Sequence, residues 1–254
     1  RPEAEDASVR YHRAAEEYAI ECAIVKVVGS ELYSQATDEG IQIHGGYGYT
    51  EEFPMARAWR DQRLLRIGEG TNEIVRLSII RQLLRRAHTG RLDMERAAKT
   101  LQERLDKFIG PVADPEVLPD RLKQAGLLLL YHAEHHFGKR LSEEQEIIAA
   151  IADIIAGAYV AESAWVRAGK LASRNGSSGL ADLARCAAHI YTESVRQKTY
   201  WLTESVLVRL FREGADVHAL SNRLDSILRS RACDLISLRR KIAIAVLERE
   251  AYPW

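Results

Sequence analysis

The sequence predicts an all-α protein built in two helical parts. Apolar residues recur every three or four positions along most of the 254 residues. No stretch alternates with a period of two over a useful length, which leaves no candidate strand. Proline and glycine gather in a few short segments that punctuate the helical runs. The division falls near residue 90, giving a first helical domain over 1–90 and a helical extension over 91–254 with antiparallel neighbours.

The elements follow in order. Tyr11, Ala15, Tyr18, Cys22, Val25, Val28, Leu32 and Ala36 trace the stripe of one long amphipathic helix that ends near "HGGYGYTEEFP". Residues 53–67 place Pro54 at a first helical position and continue as a short helical or irregular connection. After "GEGT", a helix over 72–90 sets Ile74, Leu77, Ile80 and Leu84 on one side, with Thr71 as its N-cap, Glu73 in the first turn and Gly90 at its close. "IGPVADPEVLP" at 109–119 breaks the pattern as a linker or long turn. A helix over 121–138 follows, and Ser142 with Gln145 reads as a capping box for a long helix over 143–173. "SRNGSSG" at 173–179 is a flexible turn, and two last helices run over 180–212 and 217–249 about a break at Gly214.

Composition narrows the function. The 36 basic residues equal the 36 acidic ones, so no global charge draws the chain to nucleic acid or an anionic membrane. Cys22, Cys186 and Cys233 stand far apart without a CxxC spacing, as reduced, buried thiols in a reducing compartment would. The opening residues hold no apolar h-region, and no run approaches the roughly 20 apolar residues that span a bilayer, so neither signal peptide nor anchor is expected. The chain opens without methionine, as a fragment or processed product would.

Two glycine-rich turns carry the chemistry. In "IQIHGGYGYT", Gly45, Gly46 and Gly48 occupy three of four positions, where a helix corner accounts for one glycine and a phosphate-binding nest of amide N–H groups accounts for more. Gln42 adds an amide that could address a phosphate or a base. A dinucleotide fingerprint is excluded, because no strand precedes the loop. In "RIGEGTNEI", Glu69 stands between Gly68 and Gly70, which leaves its side chain bare. A carboxylate in an apolar cleft has its pKa raised and suits a general base beside a carbonyl, whereas a solvated turn glutamate has no task; both readings stand on these residues alone.

The paired motifs QxxGGxGY and RDxR, followed by EGTNEI, resemble the C-terminal helical domain of the acyl-CoA dehydrogenases, densely so over residues 14–88. That resemblance implies an FAD-dependent enzyme of fatty-acid β-oxidation. Glu69 would abstract the pro-R α-proton of an acyl-CoA while the β-hydrogen leaves as hydride to FAD, giving a trans-2-enoyl-CoA. Its own backbone N–H would help to stabilise the enolate-like transition state. Gln42, Gly45, Gly46, Thr71 and Glu73 match cofactor-contacting positions, with the Gln–Gly–Gly elements reaching the ADP part of a flavin held mainly by a neighbouring subunit. Gly68 and Gly70 would border the acyl substrate, and Gly68, where several relatives carry an aromatic ring, widens the space for a bulky, long or branched chain. Implied partners are acyl-CoA, an electron-transfer flavoprotein as acceptor, and a homodimer or the N-terminal parts of the enzyme. The implied location is the bacterial cytoplasm, or the mitochondrial matrix or inner-membrane side in a eukaryote.

The family's N-terminal helical domain and middle β-domain do not precede the matching segment in this sequence. Residues 91–254 are similar in layout to the extension of the very-long-chain acyl-CoA dehydrogenases, whose eukaryotic members bind membranes through that region. "AGLLLLY" at 125–131 nevertheless reads as helix-packing core rather than an interfacial helix. A non-catalytic helical scaffold for dimerisation or docking is the competing reading, and a bare carboxylate between glycines argues against it. No metal is expected: His132, Glu134 and His136 lack a third ligand at a recognisable spacing, and the paired ExxH motifs of a four-helix metal carboxylate protein are missing. The arginines at 76, 81, 85, 86 and 91 suit a helix C-terminus rather than nucleic acid, and "WRDQR" suits structural ion pairs.

Overall fold

The computed structural model describes residues 6–106, 110–111, 114–175 and 179–251. The first five residues, part of the 109–119 linker and part of the 173–179 turn lie outside the described residues. Helix accounts for 85% of the structure, with no strand among the described residues, as the periodicity predicts. The chain clusters into two units, Arg1–Leu92 and Asp93–Trp254.

In the first unit, α1 (Ala7–Glu17) starts on Asp6, whose carboxylate accepts the Ser8 N–H at 3.1 Å. The expected single long helix is interrupted at Tyr18 (φ −98°, ψ 14°), after which α2 runs over Ala19–His44. Four-residue α3 (Gly46–Tyr49) and α4 (Pro54–Leu65) follow, with Pro54 in the first turn, where its missing N–H costs nothing. Next comes α5 (Asn72–His88). Both α4 and α5 pack on α2.

The buried face of α2 is Ile20, Ile24, Val27, Ser30 and Thr37, not the stripe the spacing predicts. Tyr11 is 78% and Val25 59% exposed within this chain. The reason is that α2 carries apolar residues on two faces, and periodicity alone does not choose between them. In α5 Ile80 is buried as the spacing predicts, together with Ile79, while Ile74 points outward. The terminal signals fare better. Gly90 adopts φ +74° past the end of α5 and its N–H reaches the Ala87 carbonyl at 3.0 Å, so the left-handed close is where it was expected. Arginines at the end of α5 and just past it serve ion pairs: Arg85 meets Glu16 at 3.4 Å, and Arg91, beyond the helix, meets Glu17. In the "WRDQR" segment Arg60 pairs with Glu51, Asp61 lies 3.7 Å from Arg57, and Gln62 is the buried member of α4.

In the second unit, α6 (Met94–Leu105), an element the sequence reading missed, buries Ala98, Leu101 and Leu105 and starts on Asp93. After a 3₁₀ turn at Pro115–Val117 come α7 (Leu118–Phe137), a second 3₁₀ stretch at Gly138–Glu143, α8 (Gln145–Asn175) and α9 (Gly179–Arg212). α8 starts at Gln145 rather than at 143, so Ser142 stands three residues before its first turn, inside the 3₁₀ stretch, where its hydroxyl donates to the Lys139 carbonyl at 3.2 Å. The segment expected as one helix over 217–249 is two, α10 (His218–Leu228) and α11 (Leu235–Arg249). Gly214 does mark the break before them, at φ +91°.

Contacts between α8 and α9 fix their direction. Glu144 pairs with Arg209 at 2.7 Å, Asp153 with Lys198 at 2.8 Å, and the Trp165 indole N–H donates to Thr192 at 3.0 Å. As one residue number rises its partner's falls, so the helices are antiparallel. Leu122, Ala125, Leu128 and Leu129 of α7 and Ile151 and Ala152 of α8 are wholly excluded from water, so "AGLLLLY" is core. Contrary to the expectation from composition, α8 is long and apolar enough to cross a membrane, but half of that stretch is buried in the protein. The three thiols are free, yet only Cys186 is buried; Cys22 is exposed and Cys233 half-buried, so that expectation holds for one of three. His132 contacts the Gln102 amide nitrogen at 2.9 Å.

A Cβ on Gly157 would lie 2.6 Å from Val195 Cγ1, across the α8–α9 contact. Gly157→Ala is expected to lower stability to urea by about 1–3 kcal/mol through overpacking, despite a helix-propensity gain of about 1 kcal/mol, and to cost less when Val195 is also alanine. A Cβ on Gly48 would lie 2.5 Å from the Ile41 carbonyl oxygen, whereas one on Gly46 meets nothing within 4 Å. Gly48→Ala should therefore lower the thermal midpoint while Gly46→Ala leaves folding within about 0.5 kcal/mol of the parent, as read by circular dichroism melting.

Candidate functional site

The chain reverses between α4 and α5 through residues 66–72. Gly68 N–H donates to the Leu64 carbonyl at 2.7 Å, and the neck closes where Asn72 N–H donates to the Arg66 carbonyl at 3.1 Å. At the apex Glu69 adopts φ +56° and Gly70 φ +90°. The left-handed region is routine for glycine but costs an L-residue roughly 1–2 kcal/mol. Strained backbone of this kind concentrates where a side chain has to be aimed. Gly70 is thus required by the backbone, and its Cβ would also lie 3.4 Å from Val75. Gly68 is not required in that way: a Cβ there would meet only the Leu64 carbonyl, at 3.4 Å, so its bareness leaves open space beside Glu69. Glu69 is exposed in this chain.

Thr71 caps α5 as expected, its hydroxyl accepting the Ile74 N–H at 3.4 Å. The carboxyl of Glu73 is held below the usual carboxylate range, first by its own backbone N–H, then by the Thr71 hydroxyl and the nearby Arg76 and Arg66 charges, with slight burial opposing them. A favourable helix N-terminus acts in the same sense.

What holds this turn is a polar cluster that the sequence reading missed. Asn72 is fully buried. Its amide Oδ1 accepts from Lys26 Nζ at 2.7 Å, and its Nδ2 donates to Ser30 Oγ at 2.9 Å and Glu31 Oε1 at 3.2 Å. Lysine can only donate, which settles the orientation of the amide. Ser30 in turn donates to the Val27 carbonyl at 3.0 Å. Lys26 Nζ also donates to the Gly70 carbonyl at 2.6 Å, and Arg76 Nη2 reaches both Glu31 oxygens at 2.7 and 2.9 Å. Lys26, Ser30 and Glu31 lie on consecutive turns of α2, a spacing visible in sequence, but nothing in a single sequence links them to a residue more than 40 positions away.

The second glycine turn ends α2. Gln42 is exposed on its last turn, and Gly45 terminates the helix at φ +59°, its N–H reaching the Gln42 carbonyl at 3.2 Å. The Tyr47 and Phe53 rings pack at 4.9 Å across the turn. The three glycines have separate reasons: Gly45 supplies the left-handed cap, Gly48 the close approach to Ile41, and Gly46 neither. The structure therefore brings Gly68, Glu69, Gly70, Thr71 and Glu73 together at the start of α5, and sets Gln42, Gly45 and Gly46 at the other end of α4. The 12-residue α4, about 18 Å long, lies between them in the chain.

Two family models, both described as "Acyl-CoA dehydrogenase, C-terminal domain", match residues 4–84 and 121–220. A probable acyl-CoA dehydrogenase of Bacillus subtilis is 34% identical over 242 residues, 93% of this chain and 40% of that protein. The human very long-chain specific mitochondrial acyl-CoA dehydrogenase is 45% identical over 75 residues, 30% of this chain and 12% of that protein. A Bacillus anthracis acyl-CoA dehydrogenase, whose crystal structure is described as complexed with FAD, superposes with a TM-score of 0.85 at 34% identity over 92% of this chain and 40% of its own. The chain thus spans about two fifths of the length of the B. subtilis protein and of that structure. With both helical units matched, the chain belongs to the acyl-CoA dehydrogenase family, as its C-terminal part.

Proposed function

We propose that this chain is the catalytic-base-bearing C-terminal part of an FAD-dependent acyl-CoA dehydrogenase that introduces the α,β double bond of an acyl-CoA. The observation that carries the reading is the left-handed Glu69, a residue held at an energetic cost in an exposed turn that glycine would form more easily. A scaffold gains nothing from that strain.

Glu69 takes the α-proton on its carboxylate, and the pair of electrons left on the α-carbon forms the new C=C bond as the β-hydrogen departs. FAD, when bound, accepts that hydrogen as hydride. The backbone N–H of Glu69 serves as one donor to the thioester oxygen, where negative charge develops. The residues present fit such a cofactor: a Cβ on Gly45 or Gly46 would meet nothing within 4 Å, so a pyrophosphate can approach their backbone closely. With them Gln42 would reach the ADP part of a flavin held mainly by a neighbouring subunit, and Thr71 and Glu73 would contact FAD beside Glu69.

The open space at Gly68 supports a long or branched acyl chain, and Gly70 borders the same space. The likeness to the very long-chain specific enzyme points the same way, towards fatty-acid β-oxidation. Further partners on this reading are an electron-transfer flavoprotein as acceptor and a second subunit, or the enzyme's N-terminal part, to complete the flavin site. The location would be the cytoplasm of a bacterium, or the mitochondrial matrix or inner-membrane side of a eukaryote.

The test is anaerobic addition of a long-chain acyl-CoA to the intact enzyme, read as bleaching of the flavin absorbance band. Glu69→Gln should retain the flavin yet slow bleaching by roughly 10²–10⁴-fold, the range for loss of a general base. Bleaching at the parent rate in that variant would remove the assignment of Glu69, and intact protein that carries no flavin would leave the scaffold reading in its place.

A further inference from the structure

We propose that Lys26 is a positioning residue for the dehydrogenation: by holding the Gly70 carbonyl, its ammonium fixes the left-handed turn that aims the Glu69 carboxylate. The inference rests on the reading of Glu69 as the base.

The turn is anchored unevenly. Upstream of Glu69, backbone bonds from Ile67 and Gly68 to the Leu64 carbonyl, at 2.9 and 2.7 Å, continue the end of α4. Downstream, the Asn72 N–H closes the neck on the Arg66 carbonyl at 3.1 Å. Between these anchors stand Glu69 and Gly70, both at positive φ. Gly70 is the most permissive residue of the chain's repertoire, so its carbonyl could point in several directions with little cost. The hydrogen bond from Lys26 Nζ at 2.6 Å removes that freedom. With the Gly68 N–H pinned on one side and the Gly70 carbonyl on the other, the backbone of Glu69 has one way to close the gap.

Lysine suits the task for three reasons. Lys26 lies on α2, and a long side chain is needed to reach over to the turn. A charge-assisted hydrogen bond is roughly twice as strong as a neutral one, enough to offset the strain at Glu69. The ammonium is itself immobilised, because the buried Asn72 Oδ1 takes a second of its protons at 2.7 Å. Asn72 is in turn fixed to Ser30 and Glu31 of α2. The direction of the carboxylate is therefore set from α2, through a residue that need not touch substrate or flavin.

The test compares Lys26→Met and Lys26→Gln with Glu69→Gln in the intact flavin-loaded enzyme, by stopped-flow reduction with a saturating acyl-CoA. Methionine keeps most of the stem without donors, and glutamine is neutral and too short to span both oxygens. Each Lys26 variant should slow flavin reduction by about 10–100-fold, the scale expected when a reacting group is misplaced by about 1 Å. Flavin content and acyl-CoA affinity should stay within about twofold of the parent, and the kinetic isotope effect with α-deuterated substrate should rise as proton abstraction becomes more limiting. A merely structural role would lower flavin content and melting temperature and leave the isotope effect unchanged. If Lys26→Met does not retain flavin, Lys26→Gln decides alone. Parent-rate reduction in a flavin-loaded Lys26 variant, with Glu69→Gln inactive, overturns the role of Lys26 while leaving the base in place. Parent-rate reduction in Glu69→Gln overturns the base itself.

Discussion

The first unit depends on one buried amide. Asn72 is cut off from water, and an amide so placed without partners would cost about 1–3 kcal/mol for each group left unmade. Its partners come from a single patch of α2, where Lys26, Ser30 and Glu31 present a donor, a hydroxyl and a carboxylate in the order the amide needs. Because Asn72 is the first residue of α5, satisfying its side chain also fixes where that helix starts and how it meets α2. The turn before it then has to fit between the end of α4 and that point. An apolar contact could have packed α5 on α2, but it would not have fixed the register to a single residue.

The second unit uses a different principle. Its long helices are held by aliphatic side chains excluded from water and by glycines that permit close approach, Gly126 against Ile155 and Gly157 against Val195. Ion pairs such as Lys123–Glu162 and Lys99–Glu95 lie mostly in solvent and add little, as exposed pairs generally do. Of the more buried pairs, Arg196–Glu193 lies within α9, while Glu144–Arg209 joins the start of α8 to α9 and marks helix alignment more than it supplies stability.

What the sequence revealed follows the range of the interactions involved. Helix ends set by local chemistry were legible: Thr71 as a cap, Pro54 in a first turn, Gly90 and Gly214 as stops. The crowded turns at 43–50 and 66–72 also stood out as places where a ligand could approach, since glycine is costly elsewhere. Features decided by distant partners were not legible. The choice between two apolar faces of α2 is made by α4 and α5, and the break at Tyr18 has no glycine or proline to announce it. Helix α6 is the exception, since Ala98, Leu101 and Leu105 share one face behind the Asp93 cap and were legible by the same spacing rule that found the other helices. The capping-box pattern at Ser142 misplaced the start of α8 because the chain first runs through a 3₁₀ stretch that includes Ser142, and the α-helix begins only at Gln145. The cluster around Asn72 joins residues more than 40 positions apart, each of them unremarkable in its local context.

The positive φ of Glu69 has an evolutionary consequence. Glycine at that position would relax the backbone and make the unit fold more firmly, and asparagine would do so to a lesser degree. A chain refined for robustness alone would drift to one of them. Keeping an acid there means accepting a slightly less durable fold, and a screen for heat-tolerant variants of this protein would be drawn to the very substitution that empties the turn of its carboxylate.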